Sequence, residues 1–145
     1  MPDMFEQIMT NAASGLSAQN VRMNIIASNL ANAGNVGGTE ASTYHEKYAI
    51  FSEVTKQIPG LDSEDEPVGG VQVTNISHST QPLEKHYDPG NPLAGKDGYV
   101  YETDVNPISE MTNMISASKD YQANIQVMNT AKEMLSETIS ALGNK

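Results

Sequence analysis

The stretch "MTNAASGLSAQNVRMNIIASNLAN", residues 9–32, carries apolar side chains at helical spacing. Its apolar positions alternate steps of four and three residues, a pattern typical of a helix that packs along another helix. The small residue Gly34 follows where a helix commonly ends in a left-handed conformation. We therefore predict a helix from Met4 to about Asn32. The seam of this helix consists of Met9, Ala12, Leu16, Gln19, Met23, Ile26 and Leu30.

A second long helix is predicted from about Ile108 to Leu142. Pro107 suits its first turn and Gly143 its end. Apolar side chains recur there every seven residues, at Met114, Tyr121, Met128, Leu135 and Leu142, and they are flanked by Met111, Ile125 and Ile139.

The middle of the chain has a different pattern. The runs "YAIF" (48–51), "VQVTNI" (71–76) and "YVYE" (99–102) are typical of short strands, and Pro/Gly-rich turn signals separate them. Pro89 and Gly90 fit the central pair of a type II turn. The acidic run "DSEDEP" (62–67) is most simply a solvated loop tip. The predicted fold is α+β and mainly α: a helix in 1–33, a small acidic β-rich insert in 34–106, and a helix in 107–145.

Composition excludes several classes of function. The net charge of −10 argues against nucleic acid and anionic membranes as partners. The chain has no cysteine, which rules out disulfides and thiolate chemistry. No stretch approaches the ~20 apolar residues of a membrane span. Asp3 and Glu6 stand where a cleaved leader would carry basic residues, so we expect none.

No catalytic, cofactor or metal site is predicted. His45, His78 and His86 have no metal-ligand spacing and are expected to be exposed. The glycine-rich runs "NVGGTE" and "VGGVQV" lack the Lys-Ser/Thr ending of a phosphate loop. A small hydrolase using His and Asp or Glu of the insert is the weakest of the three function classes considered.

Each terminal helix has a second apolar stripe. In the first helix it consists of Ala18, Val21 and Ile25 beside Ser14 and Ser28. The second helix has Val127 and Met134 with Ala123, Ala131 and Ala141. Because the insert is small and acidic, we expect it not to cover both stripes, so sister chains would bury them. Scattered surface apolar residues are the alternative interpretation.

Small residues and carboxamides crowd the end of the first helix. Ser28, Ala31 and Ala33 leave room for another backbone, while Asn29 and Asn32 offer it donors and acceptors. These residues are predicted to fix register in a packed interface. A frayed helix end that leads into a loop is the local alternative.

Three stretches resemble the family of bacterial flagellar rod and hook proteins. "SNLANA" (28–33) is similar to the N-terminal signature of that family, and "MISASKDYQANIQVMNTAKEM" (114–134) to its C-terminal signature. "YDPGNPLAGKDGYVYETDV" (87–105) resembles the segment that marks the small proximal-rod subunits. The chain departs from the family in lacking a Pro-Gly before Tyr44, which takes the position of a family tyrosine.

The resemblance implies a non-enzymatic structural subunit of the basal-body rod, without cofactor. Its terminal helices would pair antiparallel and pack against copies of itself, other rod subunits and basal-body components. It also implies passage through the flagellar export apparatus and a place in the rod that spans the periplasm. A secretion chaperone or adaptor is the alternative. The predicted assembly interface comprises Met9, Leu16, Met23, Ile26, Ser28, Asn29, Leu30, Ala31, Asn32, Met114, Tyr121, Ala123, Asn124, Ile125, Met128, Asn129, Thr130 and Leu135.

Overall fold

The computed structural model describes residues 2–56 and 66–143 and has one long helix at each end of this range. Helix α1 runs Pro2–Asn32 and helix α2 runs Pro107–Gly143, so both predicted helices are confirmed. Gly34 follows α1 with a φ of 80°, the left-handed conformation expected there. At the start of α2 the Asn106 side-chain oxygen accepts the backbone N–H of Ile108 at 3.0 Å and of Ser109 at 3.2 Å. These bonds satisfy two amides that a helix start leaves without partners.

The two helices contact each other along much of their length. Residues with decreasing numbers in α1 contact residues with increasing numbers in α2. Asn29 contacts Glu110, Arg22 contacts Asp120, and Gly15 faces Asn124. Gly15 permits the third contact, because a Cβ at this position would lie 2.8 Å from the Asn124 amide nitrogen. A glycine inside a helix costs about 1 kcal/mol relative to alanine, and here it allows a close approach.

The buried side of α2 differs in part from the predicted seam. Met114, Tyr121, Met128 and Leu135 are half-buried, as a seam requires. Leu142, the last predicted seam residue, is exposed, and so are the predicted flanks Met111, Ile125 and Ile139. The residues that alternate with the seam are small or polar: Glu110, Ala117, Asn124, Ala131 and Thr138. The short side chains among them, at Ala117, Asn124 and Ala131, let α2 lie close to α1, and the bulkier flanking residues face outward.

Within residues 36–56 and 66–102 the structure has five strands: β1 (Val36–Gly37), β2 (Lys47–Lys56), β3 (Glu66–His78), β4 (Lys85–Tyr87) and β5 (Tyr99–Glu102). β2 and β3 form an antiparallel hairpin, and β5 lies between β1 and β4 in a three-stranded antiparallel sheet. The three predicted strand runs are confirmed as parts of β2, β3 and β5. β1 and β4 were not predicted, because two or three residues carry no alternating pattern.

Two predictions in the insert have different outcomes. A turn does form at Pro89 and Gly90, with the Asn91 N–H donating to the Asp88 carbonyl at 3.2 Å. It is not a type II turn, because Gly90 lacks the positive φ that such a turn requires. The acidic run 62–67 falls largely outside the described residues.

The β2–β3 hairpin packs on α1, and this corrects the expectation that sister chains bury the second stripe of α1. Ala18 and Ile25 of the second α1 stripe are buried, at 3% and 7% exposure. The hairpin reaches α1 closely at Gly70, whose Cβ would lie 2.9 Å from the Ser14 hydroxyl, and the Val71 N–H donates to that hydroxyl at 3.1 Å. The insert is therefore large enough to cover the second face of α1 within one chain.

Candidate assembly interface

Asn29 joins three elements near the end of α1. It is 1% exposed, and its amide nitrogen donates to the Lys47 carbonyl at 2.8 Å and to Glu110 Oε2 at 2.7 Å. Its oxygen accepts the Lys47 N–H at 3.0 Å and the Tyr44 hydroxyl at 2.8 Å. The carboxamide thus pairs with both backbone groups of Lys47, as a neighbouring strand would. All its hydrogen-bonding capacity is used inside the chain.

Glu110 is a buried carboxylate held by amides. It is 2% exposed, and its two oxygens accept hydrogen bonds of 2.7 Å from Asn29 and from Asn113. Among the described residues, the single ion pair joins Arg22 to Asp120 at 3.7 Å, so no basic side chain neutralises Glu110. No sequence motif pointed to Glu110. Its spacing of seven residues from Ala117 was the available signal.

Glu46 lies beside this carboxylate. Burial raises the pKa of the Glu46 carboxyl, and the nearby carboxylates of Glu110 and Asp104 raise the same pKa further. The two acids Glu46 and Glu110 line a cavity of about 340 Å³ together with Arg22, Lys47 and Phe51. Asn29, through its bonds to Lys47 and Glu110, ties the insert to both helices beside this cavity.

The rest of the "SNLANA" segment divides into internal and external positions. Ser28 shares a hydrogen bond of 3.2 Å with the Tyr44 hydroxyl, which gives this family-type tyrosine a role in anchoring the chain after α1. Asn32 donates to the Ser28 carbonyl of its own helix at 2.8 Å. Ala31 is exposed. The segment ends the helix in an ordered hydrogen-bonded arrangement rather than fraying.

The open surface of the helix pair lies mainly on α2. One flank carries exposed Ile108, Met111 and Ile115, at 78%, 57% and 59% exposure. The other flank carries Val127 and Met134, which are about half exposed. Within the described part of the chain, the hairpin contacts α1 and leaves both flanks of α2 uncovered.

The predicted interface residues thus lie in three environments. Ile26 and Asn29 are buried. A half-buried group comprises Met9, Leu16, Met23, Ser28, Leu30, Asn32, Met114, Tyr121, Asn124, Met128 and Leu135. An exposed group, free to contact another molecule, comprises Ala31, Ala123, Ile125, Asn129 and Thr130. Phe5 and Ile8, which border the open flank at Val127, were missed because they precede the clear part of the seam.

The histidines and acidic residues within 2–56 and 66–143 form no metal site. No group of three or more His, Asp or Glu side chains there could hold a metal ion. His78 and His86 are exposed as expected, but His45 is half-buried and its Nδ1 has no hydrogen-bond partner. None of the helices in this part of the chain has the length and apolarity of a membrane span.

Comparison with known proteins identifies the family. The sequence profile described as "Flagella basal body rod protein" matches residues 9–37, and that described as "Flagellar basal body rod FlgEFG protein C-terminal" matches residues 96–141. The flagellar basal-body rod protein FlgC of Buchnera aphidicola from Schizaphis graminum is 44% identical over 92% of this chain and 94% of its own length. The chain belongs to the FlgC family of flagellar basal-body rod proteins. FlgC of Salmonella typhimurium LT2 is 43% identical, and FlgC of Escherichia coli O6:H1 is 42% identical, each over 89% of this chain and 91% of its own.

The family patterns coincide with the helix pair of this FlgC-family chain. Residues 9–37 cover most of α1 and reach β1, and residues 96–141 cover β5 and nearly all of α2. Asn29 and Glu110 both lie within these ranges. The polar contact that joins the helices is therefore part of the segments that mark the family.

Proposed function

We propose that this protein is a structural subunit of the proximal rod of the bacterial flagellar basal body, and that it polymerises through its terminal helices into the shaft that transmits torque. The observation that carries this conclusion is identity of 42–44% to FlgC rod proteins over about nine-tenths of both chains. The open apolar flanks of α2 supply the surface that such an assembly needs.

The finer architecture of this proposal is an antiparallel, coiled-coil-like pair of helices. The opposite order of the contacts Asn29–Glu110 and Gly15–Asn124 supports antiparallel pairing, and the alternating steps of three and four residues support coiled-coil packing. Residues 1–33 and 107–145 form the assembly core, and residues 34–106 form the insert. In this proposal Asn29 acts within the subunit, and the exposed members of the predicted set contact neighbours.

The proposed partners are copies of the chain, other rod subunits, basal-body components and the flagellar export apparatus. The proposed location is the rod where it crosses the periplasm, reached without a cleaved leader. The protein works without cofactor, nucleic acid or small-molecule substrate, and it is not an enzyme. The FlgC relatives, which are rod proteins by name, support a structural role over a catalytic one.

A secretion chaperone or adaptor is the second candidate. The open flanks of α2 also suit a groove for another helix. The relatives favour the rod, since their similarity extends through the insert as well as the helices.

The location of the chain in the cell tests the proposal. Hook–basal bodies purified from the cell that encodes the chain are expected to contain it, and deletion of its gene is expected to abolish swimming. Deletion of residues 134–143 removes the last turns of α2 and should give the same loss, whereas Lys96→Ala in an exposed insert loop should leave swimming intact. Recovery of the chain only in the cytoplasm, bound to an exported protein, would support the chaperone instead.

A further inference from the structure

A junction of hydrogen bonds joins the insert to the helix pair. Glu46, directly before β2, donates its backbone N–H at 2.7 Å to Oδ1 of Asp104, which follows β5. The next residue, Lys47, bonds through both its backbone groups to Asn29 of α1, whose amide also reaches Glu110 of α2. The start of β2, the segment after β5 and both helices therefore meet at one place.

Three carboxyl groups lie in this junction, from Glu46, Asp104 and Glu110. Glu110 is 2% exposed and accepts hydrogen bonds from the amides of Asn29 and Asn113. Asp104 Oδ2 is buried and has no hydrogen-bond partner. Among the described residues no basic side chain forms an ion pair with any of the three. Neighbouring negative charges repel one another, so this arrangement favours a proton on one of the carboxyl groups.

Glu46 is the carboxyl group best placed to take up and release that proton. Its side chain is half-buried, and it lines the cavity of about 340 Å³, which leaves it room to move. Burial raises the pKa of the Glu46 carboxyl, and the carboxylates of Glu110 and Asp104 raise it further. The geometry and the pKa thus agree on which acid titrates.

The basic side chains at this cavity have other partners. Arg22 of α1 lines the cavity, and its guanidinium pairs with Asp120 at 3.7 Å. Lys47 of β2 lines it too, and its Nζ lies 5.1 Å from the centre of the Tyr44 ring. Two further titratable groups, close to Glu46 along the chain, are His45 and Tyr48.

We propose that Glu46, Asp104 and Glu110 form a pH-sensitive switch, in which a proton on this group of carboxyls keeps the start of β2 on the helix pair. When the proton leaves, repulsion between the carboxylates loosens the start of β2 and the segment after β5. The helices stay paired, because they also contact each other far from the junction, where Gly15 faces Asn124. This inference goes beyond the proposed rod function and does not depend on it.

Amide hydrogen exchange of the full chain, followed by NMR from about pH 4 to about pH 8, tests the switch. The reporters are the N–H groups of Glu46 and Lys47, which both bond within the junction. Their protection factors, which correct for the intrinsic pH dependence of exchange, should fall by at least about threefold as pH rises through the raised pKa of Glu46. The Glu102 N–H, which donates to the Glu84 carbonyl beside β4, is the internal control and should keep its protection.

Three variants separate the switch from a general effect of charge. Glu46→Gln removes the proton site, so the protection of Lys47 should stay constant across the pH range. Asp104→Asn keeps an oxygen that can accept the Glu46 N–H but removes one negative charge, so the fall in protection should move to lower pH. Glu53→Gln, at an exposed acid of β2, is the matched control and should leave the fall unchanged.

Several outcomes would overturn the proposal. Protection of Lys47 that does not fall with pH would do so, and so would an equal fall at Lys47 and Glu102, since the whole fold would then be losing stability. An undiminished fall in Glu46→Gln would also overturn it, as would a fall in Asp104→Asn at the same pH as in the unaltered chain. These measurements do not depend on assembly, so the rod function is tested separately.

Discussion

Asn29 uses both donors and both acceptor sites of its carboxamide within the folded chain. It donates to the Lys47 carbonyl and accepts the Lys47 N–H, so its carboxamide takes the part of a peptide group beside β2. Its remaining donor reaches Glu110 at 2.7 Å. An aspartate would lose both donated bonds and add a charge beside a buried carboxylate. A pattern that first suggests contact with another chain is here satisfied by the chain itself.

Replacing Asn29 tests how much its hydrogen bonds contribute to the stability of the fold. Asn29→Ala leaves the buried Glu110 oxygen and the Lys47 backbone groups without their hydrogen-bond partner. We expect the free energy of unfolding to fall by about 2–4 kcal/mol. Asn32→Ala is the matched control on the same helix end. It loses bonds only to Ser28 and Asn35 at partly exposed sites, so a loss within about 1 kcal/mol is expected. Urea unfolding measures both, and equal losses would contradict the role assigned to Asn29.

Glu46 predicts how stability depends on pH. Burial raises the pKa of Glu46 in the folded chain, and Glu110 and Asp104 raise it further. A raised pKa means that the folded chain binds the Glu46 proton more tightly than the unfolded chain does. The fold is therefore most stable below the usual carboxyl pKa, and it loses this part of its stability as pH rises through the raised pKa of Glu46.

Glu46→Gln should therefore raise the unfolding temperature at pH 7, and the gain should vanish below about pH 4. Glu53→Gln, an exposed acid on β2, is the control and should show no comparable difference between the two pH values. Thermal unfolding followed by circular dichroism provides the measurement. A gain that persists at low pH would show that packing, and not ionisation, causes it.

At the scale of elements, the hairpin sits on α1 through a pair of glycines. Gly69 and Gly70 both have positive φ, at 79° and 100°. A Cβ on Gly69 would lie 2.6 Å from the Asn11 amide nitrogen, so the Asn11 side chain would have to move to admit one. The close approach of β3 to α1 buries Ala18 and Ile25.

Gly70→Ala combines backbone strain with a clash against Ser14. We expect it to cost about 2–3 kcal/mol, from the left-handed conformation and the weakened bond between Val71 and Ser14. Gly34→Ala isolates the first cause, because Gly34 has a φ of 80° but open space around it, and a cost of about 1 kcal/mol is expected. Urea unfolding compares the two variants. A Gly70 variant no less stable than the Gly34 variant would contradict close packing of the hairpin.

Sequence patterns predicted the helices and strands better than the packing contacts between them. Both helices and three strands were confirmed, because a seven-residue repeat and β-branched runs are local signals. The packing of the hairpin on α1 was not predicted, because it depends on the close contact of the β3 backbone with α1 at Gly70, which composition does not reveal. The prediction of interface residues was limited in the same way. Asn29 and Ala31 are two residues apart in the sequence, yet Asn29 is buried and Ala31 is exposed. Contacts with other subunits stay predictions.

At the scale of the whole molecule, the two helices differ in what they leave open. The hairpin covers the second face of α1, whereas both flanks of α2 are exposed. One chain therefore offers neighbours a surface drawn mainly from α2, with the start of α1 at its edge. This asymmetry gives the subunit distinct sides, as an assembly that extends without closing requires.

The neutral surface of α2 has a kinetic consequence. Added salt screens the repulsion between acidic chains over distances near 10 Å at 0.1 M, so ionic strength should quicken the encounter of two copies. It should change the dissociation rate of a formed contact less than the encounter rate, because residues 121–131 carry no charged side chain. Light scattering across a salt series measures the first rate, and dilution of preformed assemblies measures the second. A contact on this surface should therefore persist at both low and high ionic strength.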